Sequence, residues 1–371
     1  MVDLHSQYEK IKSEIDEAIS DVIKSTAFIK GAKVGEFASE LTSYLNVKHV
    51  IPCGNGTDAL QIAIMSLGLK PSDEIICPDF TFIASAEVIG LLGYRPVFVD
   101  VDYDSFNVTA KNIEQAISIK TKAIIPVHLF GQAAPMEAIL EIAKKYDLYV
   151  IEDTAQAIGA DYIFSDGRKQ KLGTIGTIGC TSFFPSKNLG CYGDGGALFT
   201  DDDELAERLK MIANHGMKVR YHHDILGVNS RLDTIQAAIL STKLKYLDRY
   251  EQARQETAKK YDEAFGNIDD LVIPKKETFS THVYHQYTLK VKNGKRDDLR
   301  TFLEQNDIPS MVYYPVPLHK QKAFLPIARQ GGALNISETL AEQVLSLPMH
   351  TELDEEQQTY IICKVREFFN K

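Results

Sequence analysis

Apolar positions recur along this chain in two rhythms. Between residues 7 and 24, Ile11, Ile15, Ile19 and Val22 fall on one face of a helical period, which predicts an amphipathic helix. Short Val/Ile-rich runs follow at HVIPC (49–53), EIICP (74–78), PVFVDV (96–101), AIIPVHL (123–129) and LYVIED (148–153), each predicted as a buried strand. Helical patterns separate them over 57–67 and over PMEAILEIAKKY (135–146). This alternation predicts an α/β fold with a mostly parallel sheet covered by helices. Ligands in such sheets sit at the carboxyl ends of strands, so the polar residues after each strand are the ones to read.

A further strand is predicted over 178–184, followed by the glycine-dense stretch NLGCYGDGGALF. A helix over 203–213 and one long helix from about 233 to 265 come next. From about residue 268 the pattern changes. HVYHQYTLKVK (282–292) predicts a strand, RDDLRTFLEQND (296–307) a helix, and VYYPVPL (312–318) an extended, proline-bounded segment. The expected organisation is a large cofactor-binding domain over 1–250 and a smaller α+β domain over 251–371.

Composition narrows the classes. Over 371 residues, 44% hydrophobic content excludes a disordered chain. No apolar run approaches the roughly 18–20 residues that span a bilayer, and the polar N-terminus lacks a signal-peptide core, so no membrane partner is expected. A net charge of -10 disfavours a nucleic-acid partner. The five cysteines are odd in number and form no CxxC pair, which points to a reducing cytoplasm.

Three elements could carry chemistry. Gly54-Asn55-Gly56-Thr57 follows a strand and opens a helix, where backbone amides, the helix dipole and the Thr57 hydroxyl suit a phosphate. The segment also imitates a dinucleotide fingerprint, although no acidic residue closes the next strand, and a plain strand-to-helix turn is a third reading. Asp153 ends LYVIED, where it is either a helix cap or a partner for a cation. Lys187 follows an apolar strand and precedes Gly190, Gly193, Gly195 and Gly196. A partly desolvated lysine there would have a lowered pKa and could form a Schiff base. Phosphate turn, aspartate and strand-end lysine, in that order, are the parts a pyridoxal phosphate enzyme needs.

At these residues the chain resembles the DegT/DnrJ/EryC1/StrS family of sugar aminotransferases, which are fold type I pyridoxal phosphate enzymes. The likeness covers nearly the whole chain. It is carried by GNGTDAL (54–60), PDFTFIASAE (78–87), GYRPVFVDVD (93–102), PVHLFGQ (126–132), VIEDTAQAIGA (150–160), TSFFPSKNLGCYGDGGA (181–197) and GVNSRLDTIQAAIL (227–240). It implies Lys187 as the lysine that holds the cofactor aldehyde and Asp153 as partner of the ring nitrogen. Gln156 would neighbour the ring hydroxyl, Phe82 would stack on the ring, and Gly56, Thr57 and Ser182 would cradle the phosphate. Asn229 would reach the phosphate from the other subunit, which implies a homodimer with shared active sites. Relatives with histidine in place of this lysine are dehydratases, so Lys187 favours transamination.

Within the family the chain resembles aminotransferases of UDP-2-acetamido-2-deoxy-3-oxo-glucuronate, which serve surface polysaccharide such as lipopolysaccharide. TSFFPSKNLGCYGDGG, RYHH (220–223) and YPVPLHKQ (314–321) carry it. It implies Arg231 and Tyr314 as substrate contacts, with Tyr313 standing where a relative has histidine. The expected reaction is ping-pong transfer from an amino-acid donor, glutamate, to a nucleotide-linked keto-sugar. The alternatives are a dTDP-linked 3- or 4-keto-6-deoxyhexose as substrate, an NAD-dependent oxidoreductase, and a non-catalytic cofactor-binding protein.

Other polar groups have plainer readings. His282 and His285 would point to opposite faces of a strand, so no metal site is expected. Arg208, Lys210, Lys218, Arg220, His222, His223 and Arg231 form a basic stretch that suits either an anionic substrate or a solvated face. His128 reads as a packed core histidine or a cofactor neighbour, and nothing marks Cys191 as a nucleophile.

Overall fold

Each strand run is apolar on both faces, and the two faces feed separate cores. Ile75, Cys77, Phe98, Ala123 and Ile151 pack into one layer with Ile62, Ile64 and Ile89 from helices. Their sequence neighbours Ile76, Val97, Val99, Ile124 and Val150 pack into the other with Ile139. That period-2 split is what a sheet covered on both sides requires. The computed structural model describes Met1–Asn370 and has an eight-stranded sheet at its centre. In spatial order the strands are His49–Cys53, Gly196–Thr200, Ile178–Ser182, Tyr149–Asp153, Thr121–Ile124, Glu74–Pro78, Arg95–Val99 and Arg329–Gln330. From Ile178–Ser182 onward all neighbours are parallel, whereas Gly196–Thr200 runs antiparallel to both of its neighbours.

Helix Leu4–Ser25 starts at Asp3, whose carboxylate accepts from Ser6 N, and buries Ile11, Ile15 and Val22 as the periodicity predicts. Helix Ala32–Leu45 buries Phe37, which meets Phe183 edge-on with ring centroids 5.4 Å apart. The C-terminal region adds a three-stranded antiparallel sheet of Leu271–Val272, Tyr287–Val291 and Val344–Leu347. Helices Arg296–Glu304 and Glu355–Phe369 pack on it, and Leu289, Leu299, Leu345 and Val365 join the same core as Ile124 and Ile139. Arg329–Gln330 returns to the large sheet, where Arg329 forks onto Glu74 at 2.8 and 3.1 Å. No helix among the described residues is long and apolar enough to cross a membrane.

Several expected elements have different limits. The long helix over 233–265 is two helices, Thr234–Leu244 and Leu247–Phe265. The first is buried nearly all round. The second buries a single stripe of Leu247, Tyr250, Arg254, Ala258, Tyr261 and Phe265, so the axis turns between them. The strand predicted over 282–292 spans only Tyr287–Val291. Ahead of it Tyr284 has φ +43°, and the carbonyls of Tyr284 and His285 accept from Arg254 Nη1 rather than from a ladder. The regular strand within AIIPVHL ends at Ile124, but the chain stays paired past Pro126, with Ile125 N donating to the Ile76 carbonyl and His128 N to the Asp153 carbonyl. The end of the glycine-dense stretch is a strand, Gly196–Thr200.

Phe37 ties an N-terminal helix to the strand end that precedes Lys187. Phe37→Ala should cost about 3–5 kcal/mol of stability, read as a lower urea midpoint in equilibrium unfolding. A midpoint within error of the parent would show that this contact contributes little.

Candidate active site

Three strands end on the same side of the sheet and deliver the chemistry. Tyr149–Asp153 ends in Asp153, Ile178–Ser182 leads through Pro185 to Lys187, and His49–Cys53 leads into Gly54-Asn55-Gly56. Parallel pairing aligns Asp153 with Cys180, which fixes how far the two chains run before turning.

Asp153 is 6% exposed. Its Oδ2 accepts from Ser85 Oγ at 2.8 Å and its Oδ1 from Ala155 N at 3.0 Å. Among the described residues no lysine, arginine or histidine forms an ion pair with it. A buried carboxylate with two neutral donors and no cation suits a positively charged ligand atom. Burial pulls the Lys187 amine down to about 8, and the Asp153 charge acts in the opposite sense. Among the described residues the amine has no hydrogen-bond partner. His285 lies close enough to Lys187 to be held further toward its neutral form, with burial as the main cause.

The phosphate turn is built by close packing. A Cβ at Gly56 would sit 2.7 Å from Ser182 Cβ, and one at Gly196 would sit 2.5 Å from Asn55 C and O. Neither position admits a side chain, so the strand ends and the helix start are pressed together. Asn55 caps helix Gly56–Ser66, its side chain accepting from Asp58 N at 2.8 Å. Among the described residues the amides of Gly56 and Thr57 and the Thr57 hydroxyl have no acceptor, and Ser182 Oγ lies beside Gly56. Such a helix start takes a phosphate group. Ser230 Oγ donates to Asp58 Oδ2 at 2.6 Å and accepts from Gly54 N at 2.9 Å, so Asn229 and Arg231 flank a residue moored to this turn in the same chain.

Gln156 is buried, with Oε1 accepting from Phe130 N at 2.7 Å and Nε2 donating to Tyr314 Oη at 3.0 Å. The Tyr314 ring lies 6.3 Å from Phe82, a 54% exposed aromatic beside the strand ends, and 5.9 Å from Tyr313. Asp153, Gln156, Lys187, Tyr314 and Phe82 therefore form one constellation, and Gly56, Thr57 and Ser182 a second one next to it. Asn229 is exposed.

The basic stretch divides. Lys210, Lys218 and Arg231 line a cavity of about 390 Å³ together with Lys30, Glu207 and Asn214, and neither Lys187 nor Asp153 borders it. Arg220, His222 and His223 are on an exposed hairpin, with Arg220 stacked 4.9 Å over Tyr221. His128 is a core histidine. Its Nε2 meets Glu152 at 2.9 Å and its Nδ1 accepts from Ala134 N at 3.0 Å. His282 Nδ1 accepts from Tyr284 N at 3.1 Å. Cys191 Sγ is satisfied by the carbonyls of Phe183 and Gly193, and burial pushes its thiol up to about 11. Ser85 was not singled out in the sequence, although it lies within PDFTFIASAE. Only the fold brings it to Asp153.

Comparison with known proteins agrees with this geometry. The model of the DegT/DnrJ/EryC1/StrS aminotransferase family matches residues 9–366. A pleiotropic regulatory protein of Geobacillus stearothermophilus is 48% identical, covering 100% of this chain and 98% of its own. The UDP-2-acetamido-2-deoxy-3-oxo-D-glucuronate aminotransferase of Pseudomonas aeruginosa is 45% identical over 95% of both chains. The UDP-N-acetyl-3-dehydro-alpha-D-glucosamine 3-aminotransferase of Acidithiobacillus ferrooxidans is 44% identical, covering 99% and 96%. Among solved structures, a family aminotransferase from Brucella abortus superposes with TM-score 0.95 at 42% identity, covering 100% and 99%. The Bacillus subtilis protein NtdA with bound cofactor PMP gives 0.89 at 31%, covering 98% and 82%. The chain belongs to the DegT/DnrJ/EryC1/StrS aminotransferase family. It has the fold type I architecture and uses pyridoxal phosphate.

The residues fit that cofactor, because the unpaired buried carboxylate, the free amine and the open helix start match its three polar ends. Bound there, pyridoxal phosphate would supply an aldehyde that condenses with amines and a ring that draws electrons from the adjacent carbon. The depressed pKa of Lys187, about 8, leaves roughly a fifth of its amine neutral at about pH 7.4, against about a thousandth for an ordinary lysine. In the cofactor-free protein, reductive methylation of Lys187 should rise through a midpoint near 8. An ordinary lysine titrates near 10.4. Because Asp153 favours the charged amine, Asp153→Asn should move the midpoint lower still. A midpoint near that of surface lysines, read by peptide mass spectrometry against pH, would refute the desolvated site.

Proposed function

We propose that the chain transfers an amino group from glutamate to the 3-keto carbon of a UDP-linked 2-acetamido sugar, UDP-2-acetamido-2-deoxy-3-oxo-glucuronate. The setting would be surface polysaccharide synthesis, lipopolysaccharide included, in the cytoplasm. The observation that carries transamination is Asp153, buried without a cation beside an unpartnered Lys187 amine. Asp153 holds positive charge at the ring nitrogen, and Ser85 fixes the carboxylate. Neutral Lys187 accepts the proton lost from the amino donor's α-carbon and returns one to the sugar carbon in the second half-reaction. Gln156 and Tyr314 hold one edge of the site, and Phe82 covers a face. Ser182, Gly56 and Thr57 take the phosphate.

The substrate reading draws on the two UDP-sugar relatives, whose named sugars share the 3-keto group and differ at C6. Arg231 and the cations near it favour the carboxylate, since a guanidinium can bind both oxygens. A charge-assisted contact contributes roughly 1.5–3 kcal/mol, or about 10–150-fold in preference. kcat/KM for the 3-keto-uronate should therefore exceed that for the matched 3-keto sugar with a C6 hydroxymethyl or methyl by about tenfold or more. Equal values would remove the uronate and leave the aminotransferase standing. Absence of turnover with any keto-sugar would favour a regulatory role.

The site reading includes a homodimer, with Asn229 and Arg231 reaching the partner's cofactor and substrate. It is supported by the exposure of Asn229 and by exposed apolar side chains at Phe28, Ile29, Phe82 and Phe184. Mixing Lys187→Ala chains with Asn229→Ala, Arg231→Ala chains should restore activity, because one heterodimer site would carry neither lesion. No rescue in confirmed heterodimers would assign both residues to their own subunit's site, where Ser230 already bonds to Gly54 and Asp58.

A further inference from the structure

We infer that His319 is a positioning residue for the nucleotide-sugar substrate: with Asp79 and Glu338 it clamps the segment carrying Tyr313 and Tyr314 against the strand end that carries Phe82. The inference rests on the proposed function only for the identity of the second substrate.

The segment from Met311 to Leu318 has few hydrogen bonds to hold it, although Val312 and Leu318 are buried in the two cores. Pro315 and Pro317 remove backbone donors, and Pro315 and Val316 are exposed. Its first end is fixed by exchanged backbone bonds between Met311 and Ser346, at 3.1 and 2.8 Å. Between the ends, the Tyr314 hydroxyl meets Gln156. At the far end the fixation is concentrated on one residue. Asp79 takes His319 with both oxygens, Oδ1 accepting from the backbone N at 2.8 Å and Oδ2 meeting Nδ1 at 2.7 Å. The Asp79 carbonyl accepts from Leu318 N at 3.0 Å. His319 Nε2 meets Glu338 Oε1 at 3.1 Å, and Glu338 also pairs with Lys320 at 2.8 Å.

Asp79 is fully buried, and His319 supplies all its side-chain hydrogen bonds. Burial pushes the Asp79 carboxyl up, and the His319 contacts oppose that. Asp79 Oδ2 and Glu338 Oε1 each face one ring nitrogen, so the imidazole is held from both sides. A buried acid held by one partner makes that partner hard to replace.

The position of the clamp gives it its meaning. Asp79 directly follows strand Glu74–Pro78, three residues before Phe82. His319 directly follows the proline-bounded segment. One buried contact thus fixes the spacing between Phe82 on one wall of the site and Tyr313 and Tyr314 on the other. Glu338 ties the same histidine to helix Asn335–Gln343, which Asp100 docks by accepting from Ile336 N and Ser337 N at 2.9 and 2.8 Å. Neither Asp79 nor His319 is placed to meet the reacting atoms, and Lys187 and Asp153 do not depend on them for hydrogen bonds.

The test uses holoenzyme and separates the half-reactions. His319→Ala should raise KM for the UDP-3-keto sugar by about tenfold or more, the loss of a charge-assisted contact, and should affect the glutamate half-reaction markedly less. His319→Asn, which keeps a donor where Nδ1 stands, should recover most of the loss. Hydrogen exchange gives a readout independent of substrate: amides of 312–320 should exchange faster in His319→Ala, with 182–188 unchanged. An unaltered KM, or an equal loss in both half-reactions, overturns the inference. Unaltered exchange overturns it even if the sugar assignment proves wrong. If His319→Ala does not fold, a His319→Asn enzyme with unaltered KM and exchange supports the clamp, and one that loses both half-reactions equally overturns it.

Discussion

A carboxylate buried without a cation is the constraint on which this structure turns. Taking Asp153 out of water is costly unless its charge is answered. The fold answers it only in part, with Ser85 Oγ and the Ala155 amide, and leaves the positive partner to a ligand. That shortfall shapes what surrounds it. Lys187 is close enough to feel the charge yet so desolvated that its amine falls to about 8. Asp153 ends one strand and Lys187 lies beyond the end of its neighbour, so the pairing of those strands brings carboxylate and amine together.

The sheet makes this proximity rigid. Parallel pairing of Tyr149–Asp153 with Ile178–Ser182 sets the strand ends side by side, and two covered faces keep water from the strands behind them. The antiparallel strand Gly196–Thr200 brings the chain back beside the phosphate turn, and Gly196 allows the closest approach of backbones there. The aromatic wall comes from far away in sequence. It is held by Gln156 from within the site and by the His319 clamp from outside.

Much of this could be read from the chain because it was written locally. The apolar runs marked the central strands, and the residues just after them, Gly56, Asp153 and Lys187, marked the chemistry. The rest depended on tertiary context. No proline or glycine separates Leu244 from Leu247, so nothing local announced the break between two helices. Strand Gly196–Thr200 was hidden in a glycine-dense stretch, where turn signals and close packing look alike. Residues 282–286 alternate as a strand would, yet side chains of Gln255, Asn188 and Arg254 take the carbonyls of His282 to His285. Ser85 and His319 act across 68 and 240 positions in sequence, a separation that no local pattern carries.

The central claim is that the charge of Asp153 sustains proton transfer at the amino donor's α-carbon. Exchange of the glutamate α-proton with solvent, followed by nuclear magnetic resonance in holoenzyme, reads that step without the sugar substrate. Asp153→Asn should slow it by about a hundredfold or more, since each 1.36 kcal/mol of lost stabilisation is about tenfold in rate. Cofactor content should be retained through the phosphate turn and Lys187. A loss of less than about tenfold, with cofactor in place, would show that Asp153 only caps the segment that follows it.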